Sequence, residues 1–527
     1  MWRGQSDRGN TQGDLVADST IQHGTERNFG HMLPGIVSWT LIVFAVLGTF
    51  LFPRAWLVFA TLFMGYMVVR GVITFGFALY GERQRQHALL QDWTLAEDET
   101  GPFGFAPAET RHVIIIPNYK EPIDILRRTL DGLAAQHRAA ERIIPVLGME
   151  EREADARAKG EALAAEYAGR FLNVIVTVHP AGLPGDEPGK SSNEAWAAKE
   201  AHKVLLATGV DLEVTTITSC DADSVLHPKY FSAVATMFAA DEQRHLSFWQ
   251  APLFYYNNIW HVPAPIRFTT WLSHTMQMAE LAMPFYQPLP ISTYTLSIKL
   301  AERCGWWDPS VISEDWHSFL NCLFESGEEI STVSVFLPTM GDATDGDGWA
   351  DAMSNRFHQV KRHAWGAEDV GYITGQLSLK PGALRGSTTF RLGQVLHDHV
   401  LRVATWFILA SIYAISSRYA TMHWYSPGWH SGIAQNLAVL RVLLGVGGLT
   451  IASTIVFELW RCPPPDSVSR AKTAVEIGAM WFTMMFLGFY LGTLPALEAQ
   501  TRLLFGIPLG YKVTPKKLVP AAQTSKI

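Results

Sequence analysis

VTTITSCDAD, residues 214–223, frames the rest of the chain. Its first half, residues 214–218, is a short run rich in β-branched side chains. Such a run suits a strand buried on both faces. Its second half places Asp221 and Asp223 two residues apart, directly behind that run. Carboxylates at i and i+2 on a loop can converge on a hard divalent cation. The cation then clamps a diphosphate and neutralises the charge that grows on a phosphate leaving group. An acidic turn facing solvent is the plainer alternative. A strand that ends in a ligand loop belongs to an open α/β sheet, which binds beyond the carboxyl ends of its strands.

Three more runs upstream read as buried strands: residues 112–116 (HVIII), 142–147 (RIIPVL) and 173–178 (NVIVTV). Helical patterns lie between them. Residues 123–136 set Ile125, Leu126, Leu130 and Leu133 at helical spacing, and residues 151–167 form an Ala-rich, charged, solvated helix. This alternation predicts an α/β fold with a mostly parallel, doubly wound sheet. The loops to inspect are residues 117–121 (PNYKE), Glu150-Glu151, residues 184–193 and residues 220–223.

Apolar segments flank this domain. A bilayer takes about 20 apolar residues to cross. Residues 34–52 carry no charge, Pro53-Arg54 interrupts, and a second run covers residues 55–80. These predict a transmembrane hairpin. Arg70, late in the second run, is expected to snorkel toward the cytosol, with a polar cavity as the alternative. Apolar runs return at residues 399–419, 442–460 and 477–497, the last containing Pro495. The expected division is a polar tail at 1–32, the hairpin at 33–80 and a soluble domain at 105–375. Two transmembrane helices follow at 395–460, then an interfacial or membrane helix at 472–505 and a tail at 506–527. Arg83, Arg85, Arg461, Arg470 and Lys472 flank the spans on the soluble domain's side, whereas residues 422–435 lack Lys and Arg. The positive-inside rule then expects a multi-pass inner-membrane protein with its soluble domain in the cytosol. A signal peptide does not fit a polar start followed by two long spans.

Composition agrees. The 527 residues are 48% hydrophobic and only 17% charged, and the net charge of −7 excludes a basic nucleic-acid surface. None of Cys220, Cys304, Cys322 and Cys462 forms a CxxC pair, so neither a zinc site nor a disulfide framework is expected.

Residues 184–196, PGDEPGKSSNEAW, end like a phosphate-binding P-loop. That motif needs glycine five residues before Gly189; Pro184 stands there and the glycine is at 185. Lys190 therefore reads as a lysine reaching an anionic ligand at the sheet's edge, the alternative being a helix capped by Ser191 or Ser192. Glu314-Asp315 offers a carboxylate that could take a proton from an incoming hydroxyl. In RFHQVKRHAWG, residues 356–366, Gln359, Arg362 and Trp365 could share a helix face, the arginine for a diphosphate and the tryptophan for a sugar ring. The acidic stretch GDATDGDGW before it misses the EF-hand register and reads as a flexible loop. Aromatics in residues 248–260, FWQAPLFYYNNIW, are expected partly in the core and partly on the acceptor side.

These elements, in this order, resemble the family 2 glycosyltransferases, and their membrane-embedded cellulose and hyaluronan synthase branch in particular. The resemblance implies a GT-A domain between transmembrane helices. It implies nucleotide contacts from Tyr119, Glu121 and either Glu150 or Glu151, and places Lys190 and Asn193 near the donor. Asp221 and Asp223 match the DxD motif, which implies Mg²⁺ or Mn²⁺ on a nucleotide sugar, a UDP-sugar. Ser313-Glu314-Asp315 matches Thr-Glu-Asp, with Asp315 as the implied base, and Gln359 to Arg362 matches the start of Gln-x-x-Arg-Trp. His363 stands where that motif has its tryptophan, and Trp365 comes two residues later. YKVTPK, residues 511–516, resembles the cellulose synthase gating loop, through Tyr511, Thr514 and Lys516. No further pair of spans follows, which departs from that branch. The implied activity is inverting transfer to a glycan acceptor in polysaccharide synthesis, with single-sugar transfer to a lipid acceptor as the alternative. Candidate partners are the bilayer and a second copy or an accessory membrane subunit, without nucleic acid.

Overall fold

The computed structural model describes residues 27–422, 430–463 and 470–510. The four runs read as strands are β1 (Arg111–Pro117), β2 (Ile143–Glu150), β3 (Ile175–His179) and β4 (Thr215–Ser219). Six shorter strands follow: β5 (Val225–Leu226), β6 (Ser247–Gln250), β7 (Leu253–Phe254), β8 (Tyr294–Ser297), β9 (Ser331–Ser334) and β10 (Thr339–Met340). The main sheet has seven strands in the order β3-β2-β1-β4-β8-β6-β9. Only β8 runs against its neighbours. The α/β class with a mostly parallel sheet is therefore the observed one.

Alternation along β1 explains why its run is apolar throughout. Val113 and Ile115 enter one core, with Ala197 and Ala201 of the helix Lys190–Ala207. Ile114 and Ile116 enter the other, with Leu126 and Leu130 of the helix Ile123–Ala134. Side chains of period two thus feed two layers of helices. Gly148 in β2 permits close approach on the first face. A Cβ there would lie 2.6 Å from Asn193 Oδ1. The solvated helix expected at 151–167 is shorter, Ala156–Glu166, because β2 runs on through the buried Glu150.

β5, β10 and β7 make a second, three-stranded sheet. It brings Asp223, just before β5, beside Asp342, just after β10. The stretch read as a flexible loop is anchored there: Asp342 is buried, accepts from Asn257 and pairs with Arg128 at 2.7 Å.

Among the described residues, five helical segments are long and apolar enough to cross a membrane: Phe29–Leu51, Pro53–Leu90, Gly386–Tyr419, Ile433–Arg461 and Lys472–Phe505. The hairpin turns at Phe52, with Pro53 starting the second helix. The expectation for Arg70 is corrected. Its guanidinium lies 3.3 Å from Asp398 on the helix Gly386–Met422, and both line an internal cavity. A half-buried carboxylate within reach holds the charge better than a stretch toward the surface. The last segment bears on the soluble domain. Gln500 accepts from Ser38 at 2.6 Å and Lys361 pairs with Glu498 at 2.9 Å, so its end, Leu494–Phe505, wedges between the first helix and the helix Trp349–Trp365.

Candidate active site

A cavity of about 570 Å³ opens beyond the carboxyl ends of β1, β2 and β4 and continues to the candidate spans. Tyr119, Glu121, Glu150, Lys190, Asn193, Asp221, Asp223, Glu314, Asp315, Gln359, Arg362 and His363 all line it.

Lys190 is its centre. The residue opens its helix behind Gly189. Its ammonium lies 2.8 Å from Glu314, 2.9 Å from Asp221, 3.4 Å from Asp315 and 3.8 Å from Glu194. Burial opposes its charge, but the four carboxylates outweigh that and hold the ammonium well above the usual lysine range. The same crowding acts on the acids. Burial, then Glu314 and Asp221, push the Asp315 carboxyl up to about 7 against the pull of Lys190. Burial pushes Glu194 far up as well, although it accepts from Ser219 at 2.6 Å. Ser191 and Ser192 do not cap the helix; they donate to the carbonyls of Asp308 and Glu187, tying down the preceding loop.

Ser292 knits this cluster together and carried no sequence signal. It holds a left-handed backbone, φ +59°. Such a conformation costs roughly 1–3 kcal/mol and persists where its surroundings enforce it. Its N–H donates to Asp315 at 2.8 Å, its hydroxyl to Asp221 at 2.5 Å, and its carbonyl accepts from Lys190 at 3.0 Å. It fixes Asp315, Asp221 and Lys190 in one register.

Asp223 is 5% exposed and accepts from the Asp342 N–H at 3.1 Å. Burial, then the charge of Asp223, raise the Asp342 carboxyl above its ordinary range. Asp342 is thus a further acid of the site that the EF-hand test had set aside.

At the β1 and β2 end, Arg152 lies 4.6 Å over the Tyr119 ring and its guanidinium pairs with Glu150 at 2.9 Å. Glu121 accepts from the Tyr119 N–H, which folds PNYKE into a turn with Lys120 left-handed, φ +64°. Asn193 donates to the Gly148 carbonyl at 2.8 Å, bolting the lysine's helix to β2.

At the other end, Gln359 accepts from Thr344 and Arg356, and His363 faces the cavity. Trp365 does not. It packs with Ile42, Ile312 and Ala499, and its indole N–H donates to Glu368 at 2.7 Å. Six residues along a helix at about 100° each turn it away from Gln359. Of the aromatics at 248–260, Phe248, Trp249 and Phe254 are core, Tyr256 donates to Glu458, and Tyr255 lines the cavity. Tyr511, Thr514 and Lys516 lie outside the described residues.

Asp221 and Asp223 present oxygen donors of the kind a hard divalent cation takes. Among the described residues no group of three or more His, Cys, Asp or Glu is arranged to hold a metal unaided. The two carboxylates fit a cation completed by ligand oxygens, since acids outnumber Lys190 around the site.

Among solved structures, the mannosyltransferase PcManGT from Pyrobaculum calidifontis, in complex with GDP-Man and Mn2+, is 13% identical, with 84% of this chain and 99% of that one covered at a TM-score of 0.38. S. aureus TarS 1-349 in complex with UDP-GlcNAc is 13% identical, with 63% and 90% covered at 0.30. No curated protein matches the sequence. The model of the glycosyl transferase family group 2 matches residues 216–492, from β4 into the last apolar segment, and the chain belongs to that family.

Proposed function

We propose that this protein transfers a sugar, with inversion, from a nucleotide-sugar donor (a UDP-sugar) to a hydroxyl of an acceptor held at the membrane. The observation that carries this reading is the convergence of Asp221, Glu314 and Asp315 on Lys190 in a cavity that reaches the candidate spans. Tyr119, Glu121 and Glu150 take the nucleoside. Lys190 and Arg362 bring positive charge to the diphosphate as the leaving group gains negative charge. Asp315 accepts the proton of the acceptor hydroxyl. That oxygen bonds to the anomeric carbon from the face opposite the diphosphate. The carbon–oxygen bond to the diphosphate breaks, and the nucleoside diphosphate departs with its electrons. Asp221 and Asp223 would hold Mg²⁺ or Mn²⁺, which supplies further neutralisation of the diphosphate.

The remaining parts of the reading follow the charge of the flanking loops: catalytic domain in the cytosol, spans in the plasma membrane. Polysaccharide synthesis and single-sugar transfer to a lipid share this chemistry. The lipid reading is favoured by a cavity wall that includes Met67 and Thr405, both on candidate spans. Membranes incubated with a panel of labelled nucleotide sugars and then chromatographed decide between them. A ladder of long glycans marks a polymerase and a single lipid adduct marks the alternative. No turnover of any nucleotide sugar would overturn both.

A further inference from the structure

Two helices line the part of the cavity that adjoins the candidate spans. Arg356, Gln359 and His363 recur at helical spacing on Trp349–Trp365, and His399, Arg402 and Thr405 line the cavity from Gly386–Met422. Arg356, Arg362 and Arg402 all stand close to His363. After burial, these three guanidiniums are what hold its imidazole well below the ordinary range, with Asp221 opposing from across the cavity. Two buried groups at this wall lack acceptors or donors. Arg356 Nε has no hydrogen-bond partner, and neither ring nitrogen of His399 has one, although His399 is only 2% exposed. The acids at this end are Asp398, which pairs with Arg70 and His397, and Glu280. Arg70, Arg356 and Arg402 outnumber them. Clustered cations in a low dielectric call for an anion.

The depth of the wall says what carries that anion. Met67 and Arg70 come from one candidate span, Leu401, Arg402 and Thr405 from another. The guanidiniums sit where the cavity passes from the soluble domain to the spans, the level at which basic pockets between helices meet lipid head groups.

We propose that Arg356 and Arg402, backed by His363 and His399, form a subsite for the phosphate of a lipid-borne acceptor. The phosphate rests on the guanidiniums, the acceptor's hydroxyl points toward Asp315, and the lipid chain follows the gap between the spans. The inference rests on the transferase reading above and adds the acceptor's chemical class.

The test uses the full-length protein in phosphatidylcholine nanodiscs with or without phosphatidic acid as the phosphate-bearing probe. Native mass spectrometry reads lipid retention, and calorimetry on the same samples reads uridine diphosphate binding. Phosphatidic acid should be retained over phosphatidylcholine by about tenfold. The Arg356→Gln/Arg402→Gln pair should abolish the preference while keeping its melting temperature and nucleotide affinity. The Arg356→Lys/Arg402→Lys pair should keep part of it. Equal retention by wild type and the glutamine pair sinks the proposal. So does a parallel loss of nucleotide binding, which assigns the arginines to the donor's diphosphate. Complete displacement of the lipid by millimolar inorganic phosphate also sinks it, since the site would then read a bare anion. A wild type that retains the lipid but binds no nucleotide would leave the subsite standing and remove the transferase reading.

Discussion

The ammonium of Lys190 lies 2.9 Å from the carboxylate of Asp221, and the same ammonium touches Glu314 at 2.8 Å. One lysine therefore links the candidate metal ligand to the candidate base's neighbour. Removing it should cost more than donor binding. Lys190→Met leaves buried carboxylates uncompensated, and breaking a buried ion pair from one side costs about 3–5 kcal/mol. We expect a clear loss of melting temperature and at least about a hundredfold loss of turnover. Lys190→Arg should recover stability without recovering rate. A methionine variant as stable and active as the wild type would remove Lys190 from the centre of the site.

Asp315 gives the pH dependence its sign. Its carboxyl is pushed from 3.8 up to about 7, by burial first. As a base it works deprotonated, so acceptor kcat/KM should rise about tenfold per pH unit up to about pH 7 and level off above it. Stability runs the other way. The folded protein holds a proton that the unfolded chain releases, so stability is lost as pH rises from about 4 through about 7. Asp315→Asn should keep donor binding, lower turnover by about 10²–10⁴ and flatten the slope of melting temperature against pH in that window. An unchanged pH profile for the variant would falsify the assignment.

Asp342 should tune the cation site without being essential to it. It sits beside Asp223, and its side chain is claimed by Arg128 at 2.7 Å. Asp342→Asn removes one negative charge next to the DxD pair. Manganese affinity in the presence of nucleotide, read by electron paramagnetic resonance, should fall about tenfold, or ~1.4 kcal/mol. Asp223→Asn should lose far more. Equal affinity in Asp342→Asn and wild type would reduce Asp342 to a structural partner of Arg128.

How much could be read beforehand followed from where burial leaves a signature. β1 and β2 are covered on both faces and read as apolar runs, β4 is buried and rich in β-branched residues, and the edge strand β3 alternates; the ends of these strands and the loops behind them held Tyr119, Glu150, Lys190 and Asp221 in reach of one cavity. β5, β7 and β10 are two residues long and have no periodicity to detect. Ser292 is a serine in a loop, and only its φ and three partners mark it. Arg70 could not be assigned because its partner, Asp398, is distant in sequence and on another helix. The choice between His363 and Trp365 needed the helix phase, which set the indole into the apolar contact with the last segment.

The placement of Lys190 rests in turn on a glycine. Gly148 lies in β2 where a Cβ would come within 2.6 Å of Asn193 Oδ1, and Asn193 donates to the Gly148 carbonyl from the first turn of the lysine's helix. Both sides of that contact are buried, and Asn193 is held to the strand through its Nδ2 donor, so neither yields without moving the helix. Gly148→Ala should push Asn193 off the strand and carry Lys190 with it. We expect about 1–3 kcal/mol of destabilisation from overpacking. Turnover should fall by more than that loss of folded protein explains, because a displacement near 1 Å at a positioning group costs about a hundredfold. Asn193→Gly in the Gly148→Ala background frees the space and should restore stability more than activity, since the bolt to β2 stays missing. Recovery of both together would show that Gly148 serves packing alone.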